Sequence, residues 1–215
     1  MTIHAQALLF DNDGTLVSSL DSVERCWTLW AAEYGVTEEF ARVELHGRTA
    51  ADIVADLVPA HLVPEAVARV EQLEVEDVPG GGVRLLPGTT ALLDSLPADR
   101  WAVVTSATRR LAEARLDAVG IRPKTLIAAD DVSRGKPDPE PYLLAARRLS
   151  VDPARCVVFE DAPAGLQAGR AAGMATVALA TTHQADELDA DLVVPDLSAL
   201  SALVTDHVVE ISTRR

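Results

Sequence analysis

Several things are scarce in this chain of 215 residues. It has two cysteines, Cys26 and Cys156, far apart and without a CxxC spacing. That excludes a disulfide framework and a cysteine-based zinc site, and it leaves two thiols expected to be buried and free. Lysine is scarcer than its weight among cations suggests: only Lys124 and Lys136 occur, against a formal net charge of −14. A chain this acidic lacks the basic face that nucleic acid or an anionic membrane requires. No stretch approaches the ~18 uninterrupted apolar residues of a membrane span. The first six residues, Met1 to Gln6, lack the charged start and apolar core of a secretory leader. No internal repeat or low-complexity tract interrupts the sequence. A cytoplasmic, reduced, monomeric globular protein is expected, with neither nucleic acid nor membrane as partner. The acidity does not exclude a phosphorylated ligand, because a few local cations or a metal reverse the field within one cleft.

What is present is concentrated in one stretch, Leu8-Leu9-Phe10-Asp11-Asn12-Asp13-Gly14-Thr15-Leu16. The apolar residues read as the end of a buried strand, and Gly14 permits a sharp turn. Asp11 and Asp13 therefore emerge together at a strand's carboxyl end, where open α/β sheets place their ligands. Two adjacent acids repel unless a cation or a shared proton relieves them. The pattern suits a magnesium site with one carboxylate as nucleophile and the other as proton carrier. It equally suits an acidic turn closing a strand.

Further apolar runs recur at Trp101 to Thr105, Leu126 to Ala129, Cys156 to Glu160, Ala175 to Leu179 and Leu192 to Val194. Helix-like segments separate them, such as Ala107 to Val119 before Gly120 and Ala162 to Ala172 before Gly173. Continuous apolar strands alternating with helices predict a Rossmann-like, three-layer α/β core with a mostly parallel sheet. From about Ser18 to Val83 the alternation stops. Helices are predicted there over Leu20 to Tyr34, over Ala50 to Leu57 capped by Thr49, and from Pro64 to about Glu76. Pro79-Gly80-Gly81-Gly82 then breaks the helix, as a hinge would. The predicted division is a core of residues 1–17 and 84–215 and a helical insertion of residues 18–83; a surface loop is the plainer alternative for the insertion.

Three other strands are also followed by polar groups. Thr105-Ser106 follows the second, offering hydroxyls and fresh backbone N–H groups to a phosphate, or simply a helix cap. Ser133-Arg134-Gly135-Lys136-Pro137-Asp138 follows the third, with Lys136 held out of helix by Pro137. Glu160-Asp161 follows the fourth and offers hard oxygen ligands, or a charge for a helix start. Each has an ordinary explanation alone. Together they fall at successive strand ends, in an order compatible with one crevice.

The four ordered strings Asp11-Asn12-Asp13-Gly14-Thr15, Val104-Thr105-Ser106, Gly135-Lys136-Pro137 and Phe159-Glu160-Asp161 resemble those of the haloacid dehalogenase-like superfamily. Longer strings resemble its sugar phosphatase branch: His46-Gly47-Arg48, Arg134-Gly135-Lys136-Pro137-Asp138-Pro139 and Glu160-Asp161-Ala162-Pro163. The resemblance covers almost the whole chain, the helical insertion corresponding to the family's cap. It implies a Mg²⁺-dependent phosphatase acting on a small phosphorylated metabolite, a sugar or polyol phosphate. It makes Asp11 the nucleophile, giving an aspartyl-phosphate, and Asp13 the proton carrier. Thr105, with Ser106, binds the transferring phosphate, and Lys136 neutralises it. Asp11, the main-chain carbonyl of Asp13, Glu160 and Asp161 hold the metal. Arg48 and His46 are candidate substrate contacts in the cap, and Trp27 and Trp30 belong either to the cap's core or to a sugar-stacking platform. A cap without lysine argues against the imine chemistry of phosphonate-cleaving relatives. A sugar-phosphate mutase and a non-enzymatic phosphometabolite-binding protein remain alternatives. The family often has an acid after Gly-Thr-Leu-Val where this chain has Ser18-Ser19, a change expected to alter hinge or cap contacts rather than the chemical step.

Overall fold

The computed structural model describes residues 2–43, 48–205 and 208–214. His46 lies outside the described residues. The chain opens with strands β1 (Thr2–Ala5), β2 (Ala7–Phe10) and β3 (Val17–Ser18). Helices α1 (Leu20–Tyr34), α2 (Thr37–Phe40), α3 (Ala50–Leu57) and α4 (Val63–Asp77) follow. Next come β4 (Arg84–Leu85), α5 (Thr89–Asp94), β5 (Trp101–Val104), α6 (Arg109–Ala118), β6 (Leu126–Ile127), α7 (Glu140–Leu149), β7 (Cys156–Glu160), α8 (Pro163–Ala171) and β8 (Ala175–Leu179). The chain closes with β9 (Leu192–Val194), β10 (Leu200–Val204) and β11 (Val209–Thr213).

The central sheet has the order β6-β5-β2-β7-β8-β9, and every pairing in it is parallel. All residues of β2, β5 and β7 are buried, because both sheet faces are covered; this is why these strands read as unbroken apolar runs. Alternate side chains serve alternate layers. Leu8, Phe10, Val103 and Phe159 enter one cluster with α5 and α6. Ala7, Leu9, Val104 and Val158 enter the other with α7 and α8. Phe10 stacks on Phe159 with centroids 4.6 Å apart, locking the register of the two strands that carry most of the acids. The chain builds outward through β5 and β6, then crosses to β7 on the other flank of β2. That reversal opens a crevice at the carboxyl ends of β2, β5 and β7.

Between β3 and β4 the chain is helical and has its own apolar cluster, including Trp27, Trp30, Ile53, Val54, Ala66 and Val70. Trp27 and Trp30 are buried there; their rings meet edge-on at 5.3 Å, and Trp30 Nε1 donates to the Ala66 carbonyl at 2.9 Å. They form cap core rather than a stacking platform, although Trp27 also borders the cavity below. The Thr49 hydroxyl accepts from the Asp52 amide at 3.1 Å and starts α3. The two crossings between core and cap pair with each other: Val17 and Ser18 of β3 run antiparallel to Leu85 and Arg84 of β4. Gly82 fits closely beside them, since a Cβ there would stand 2.7 Å from the Ser22 Cβ and 2.8 Å from an Asp77 carboxylate oxygen, so a neighbour would have to shift.

Beyond the predicted elements, β1, β11 and β10 form a second, antiparallel sheet. Its strands alternate between buried and more exposed residues, as in Thr2–Ala5, so they lack the continuous apolar signature of the central sheet. Both cysteines are buried and free. No described helix is long and apolar enough to cross a membrane.

Candidate active site

Beyond Phe10 the chain turns back on itself: the amides of Leu16 and Val17 both bond the Asn12 carbonyl, at 2.9 and 3.0 Å. The turn needs Gly14, which has φ +86°. A Cβ there would also lie 2.1 Å from Oδ2 of Asp161, so the missing side chain admits that carboxylate. Asp161 is held further by the hydroxyls of Thr15 and Thr182.

Lys136 reaches this place from the loop before α7. Its Nζ donates to Asp11 Oδ1 at 2.6 Å, to Glu160 Oε1 at 2.6 Å and to the Val104 carbonyl at 2.9 Å. All three donors of the ammonium are therefore engaged at the ends of β2, β7 and β5. Glu160 Oε1 also accepts from the Tyr142 hydroxyl at 2.7 Å. Its Oε2 accepts from the Asp161 and Ala162 amides at 3.2 and 3.4 Å, at the start of α8. Gly165 makes room for this carboxylate, since a Cβ there would fall 1.8 Å from Oε1.

Oxygens of Asp11, Glu160 and Asp161 lie within 4.8 Å of one another, and all three residues are buried. Burial pushes the Asp11 carboxyl well above the usual carboxylate range; Lys136 opposes the shift, and Glu160, Asp161 and Asp13 add to it. Burial, then the neighbouring Glu160, pushes Asp161 up to about 7. Three carboxylates facing one ammonium leave two negative charges unbalanced when all are ionised. Hard oxygen donors with excess negative charge fit a divalent hard cation.

Asp13 faces elsewhere. Its Oδ1 accepts from Ser19 Oγ at 2.6 Å, and its Oδ2 lies 3.0 Å from Nη1 of Arg115. Ser19 stands at the N-cap of α1 but makes no side-chain cap bond; its hydroxyl goes to Asp13 instead. At the entry to the cap, Ser18-Ser19 thus makes a contact that reaches the Asp13 carboxylate. The Asp13 carboxylate is not in the acid cluster. A cavity of about 200 Å³ lies over these groups, bordered by Asp11, Asp13, Thr105 and Ser106 below and by Trp27 and Arg48 of the cap above.

A match to the haloacid dehalogenase-like hydrolase family spans residues 5–173. The chain belongs to that family. It is 38% identical to hexitol phosphatase A of Escherichia coli (strain K12) over 194 residues, covering 87% of this chain and 90% of that protein. It is 40% identical over 200 residues to the validoxylamine A 7'-phosphate phosphatase of Streptomyces hygroscopicus subsp. limoneus, covering 88% and 93%. Among solved structures, it superposes on CbbY of Rhodobacter sphaeroides in complex with phosphate with a TM-score of 0.76 and 26% identity, covering 90% and 95%.

Within this haloacid dehalogenase-like fold, Asp11, Lys136, Glu160 and Asp161 converge on one point, and Thr105 is buried beside it. The Thr105 hydroxyl accepts from the Ala107 amide at 3.1 Å, fixing its rotamer over the cavity. Arg48 borders the cavity but also pairs with Asp56 at 2.7 Å. Arg115, Glu74 and Tyr142 were not picked out from sequence. For two of them a signal existed. Arg115 shares the buried face of α6 with Leu111, Ala112 and Leu116, and Glu74 follows Ala66 and Val70 on the buried face of α4. A charge on a helix's apolar stripe is expected to have a buried partner.

Proposed function

We propose that this chain, a phosphoric monoester hydrolase, removes the phosphoryl group from a small sugar or polyol phosphate, with Mg²⁺ and through an aspartyl-phosphate on Asp11. One observation carries the reading: Asp11, Lys136 and Asp161, far apart in sequence, meet at three strand ends beneath a cavity. Asp11 attacks phosphorus as its leaving ester oxygen departs, and Asp13 donates a proton to that oxygen. Asp13 then takes a proton from the water that attacks the aspartyl-phosphate, which restores Asp11 and frees inorganic phosphate. Lys136 balances the phosphoryl oxygens, and the Thr105 and Ser106 hydroxyls orient them. Asp11, Asp161, the Asp13 carbonyl and the adjacent Glu160 are the residues that would hold Mg²⁺. The bound ion would supply the remaining positive charge that a transferring phosphoryl group demands.

The cap, which we take as residues 18–83, selects the leaving group. Val23, Trp27 and Ile53 give its side of the cavity an apolar wall, beside Thr49 and Glu71. Among the described residues, the arginines bordering the cavity, Arg48 and Arg115, are already paired with carboxylates. This supports a neutral, hydroxylated leaving group over one carrying a second phosphate. His46 and Arg48 remain the proposed substrate contacts. We propose further that the enzyme works as a cytoplasmic monomer, which size-exclusion chromatography and cell fractionation test.

The decisive assay is phosphate release from a panel of hexitol, hexose, pentose and glycerol phosphates, with Mg²⁺ and with EDTA. Mg²⁺-dependent release, strongest for one ester by kcat/KM, is expected. No release from any member in excess Mg²⁺ sinks the proposal, and isomerisation of a hexose 1-phosphate without release replaces it with a mutase.

A further inference from the structure

Asp13 is held from both sides of the cavity. Arg115, on α6 of the core, presents Nη1 to Asp13 Oδ2 at 3.0 Å and Nη2 to Glu74 Oε1 at 2.8 Å. Glu74 belongs to α4 of the cap. Both Arg115 and Glu74 are buried, at 3% and 5% exposure. Nε of Arg115 has no hydrogen-bond partner among the described residues, so the guanidinium is held by these two carboxylates. A buried cation is retained only when its partners are well placed, and here one partner comes from each half of the molecule. The planar fork of arginine suits that task, since it fixes two donors at a set separation where lysine would offer a single point charge. Ser19 holds the other oxygen of Asp13 at 2.6 Å and sits where the chain enters the cap. Among the described residues, the polar groups that touch the Asp13 carboxylate, apart from its neighbour Asn12 at 3.2 Å, are therefore tied to the cap or to the crossing into it.

We propose that Arg115 is a positioning residue for Asp13, and that Glu74 makes this positioning depend on the cap lying against the core. The inference rests on the reading of Asp13 as proton carrier to the leaving group. A proton carrier works only within hydrogen-bond reach of its target. A carboxylate released from Arg115 would sample other rotamers, including those facing the metal-binding acids. The cap thereby does more than shape the pocket: its Glu74 orients the arginine that aims the acid.

The consequence is selective. Protonation matters most for a poor alkoxide leaving group and little for p-nitrophenolate. The ratio kcat/KM reports steps up to phosphoryl transfer, so it isolates this role from hydrolysis of the aspartyl-phosphate. Arg115→Met is expected to lower kcat/KM about 100-fold on the best alkyl ester of the panel, within the range of general acid catalysis, and less than 10-fold on p-nitrophenyl phosphate. Glu74→Met is expected to show the same preference with a smaller loss. Arg115→Met combined with Glu74→Met leaves no buried charge unpaired, which keeps the test open should Arg115→Met alone fail to fold. The pair is expected to match Arg115→Met, because Glu74 acts only through the arginine. Equal losses on the two esters, no loss from Arg115→Met, no effect of Glu74→Met, or additive effects in the pair overturn the inference. Failure of the wild-type enzyme to turn over either ester would count instead against the phosphatase reading.

Discussion

Lys136 and Asp11 lie 125 residues apart, yet Nζ of the lysine stands 2.6 Å from Oδ1 of the aspartate. The contact is buried; burial raises the Asp11 carboxyl and lowers the Lys136 ammonium, while the neighbouring acids raise both. Desolvation works against the Lys136 charge, but Asp11 and Glu160 together more than reverse it and raise its pKa. The lysine thus stays charged in a place that would otherwise neutralise it.

Replacing Lys136 by Met is expected to abolish turnover, by two orders of magnitude or more, as with other lost electrostatic stabilisers of a transition state. Losing one partner of a buried ion pair costs about 3–5 kcal/mol. Urea unfolding at pH 8 without metal is expected to register a loss of that order. A variant with wild-type stability and turnover would show that the lysine does not balance these acids.

Gly165 offers a steric test of Glu160. A methyl group at this position would meet Glu160 Oε1 at 1.8 Å, so Gly165→Ala must push the carboxylate away from Lys136 and Tyr142. Overpacking of this kind costs about 1–3 kcal/mol, and turnover is expected to fall about 10- to 100-fold with the fold intact by circular dichroism. Gly80→Ala, where nothing lies within 4 Å, serves as control and is expected to leave turnover unchanged. Equal behaviour of the two variants would dismiss Glu160 as a fixed support of Lys136.

The parts legible in sequence were those whose meaning is local. Leu8 to Phe10 is apolar because β2 is covered on both faces, and Asp11 follows at once, so strand and site announce each other. Helix α1 matches its predicted bounds, Leu20 to Tyr34, because its apolar spacing and the Gly35 stop are local features. The outer sheet was not legible: β1, β10 and β11 alternate in burial, and their pairing brings Thr2 opposite Ser212. Nor was the Glu74–Arg115–Asp13 chain, whose members lie in three separate parts of the sequence. Only the positions of Leu111 and Leu116 beside Arg115 on the buried face hinted at it. Partners so distant in sequence leave no mark on the spacing of either.

Arg48 can be separated from the scaffold by kinetics. It borders the cavity and pairs with Asp56, whose side chain is 60% exposed. Exposed pairs contribute under about 1 kcal/mol, so Arg48→Ala is expected to leave the melting temperature nearly unchanged. If the arginine touches the leaving group, KM rises about three- to tenfold while kcat stays within twofold. Asp56→Ala removes the pairing alone and is expected to leave KM unchanged or lower it. A KM unaffected by Arg48→Ala would remove this residue from substrate recognition.

Metal binding is expected to depend on pH through Asp161. Its carboxyl is raised to about 7, so in the metal-free protein it holds a proton at pH 6 that an unfolded chain, with a carboxyl near 4, would have released. The folded state therefore binds more protons, and the stability Asp161 contributes is present below pH ~4 and lost as pH rises to about 7. A cation must displace that proton, so apparent Mg²⁺ affinity should climb about tenfold per pH unit below 7 for one proton and level off above 8. Asp11, raised in the same direction, would steepen the climb. Calorimetry at pH 6 in buffers of different ionisation enthalpy should reveal at least about one proton released per ion, falling as the pH rises to 8.5. The rise in melting temperature on adding Mg²⁺ should grow over the same interval. An affinity that is flat from pH 5.5 to 8 would mean that the ion does not bind to the Asp161 carboxylate.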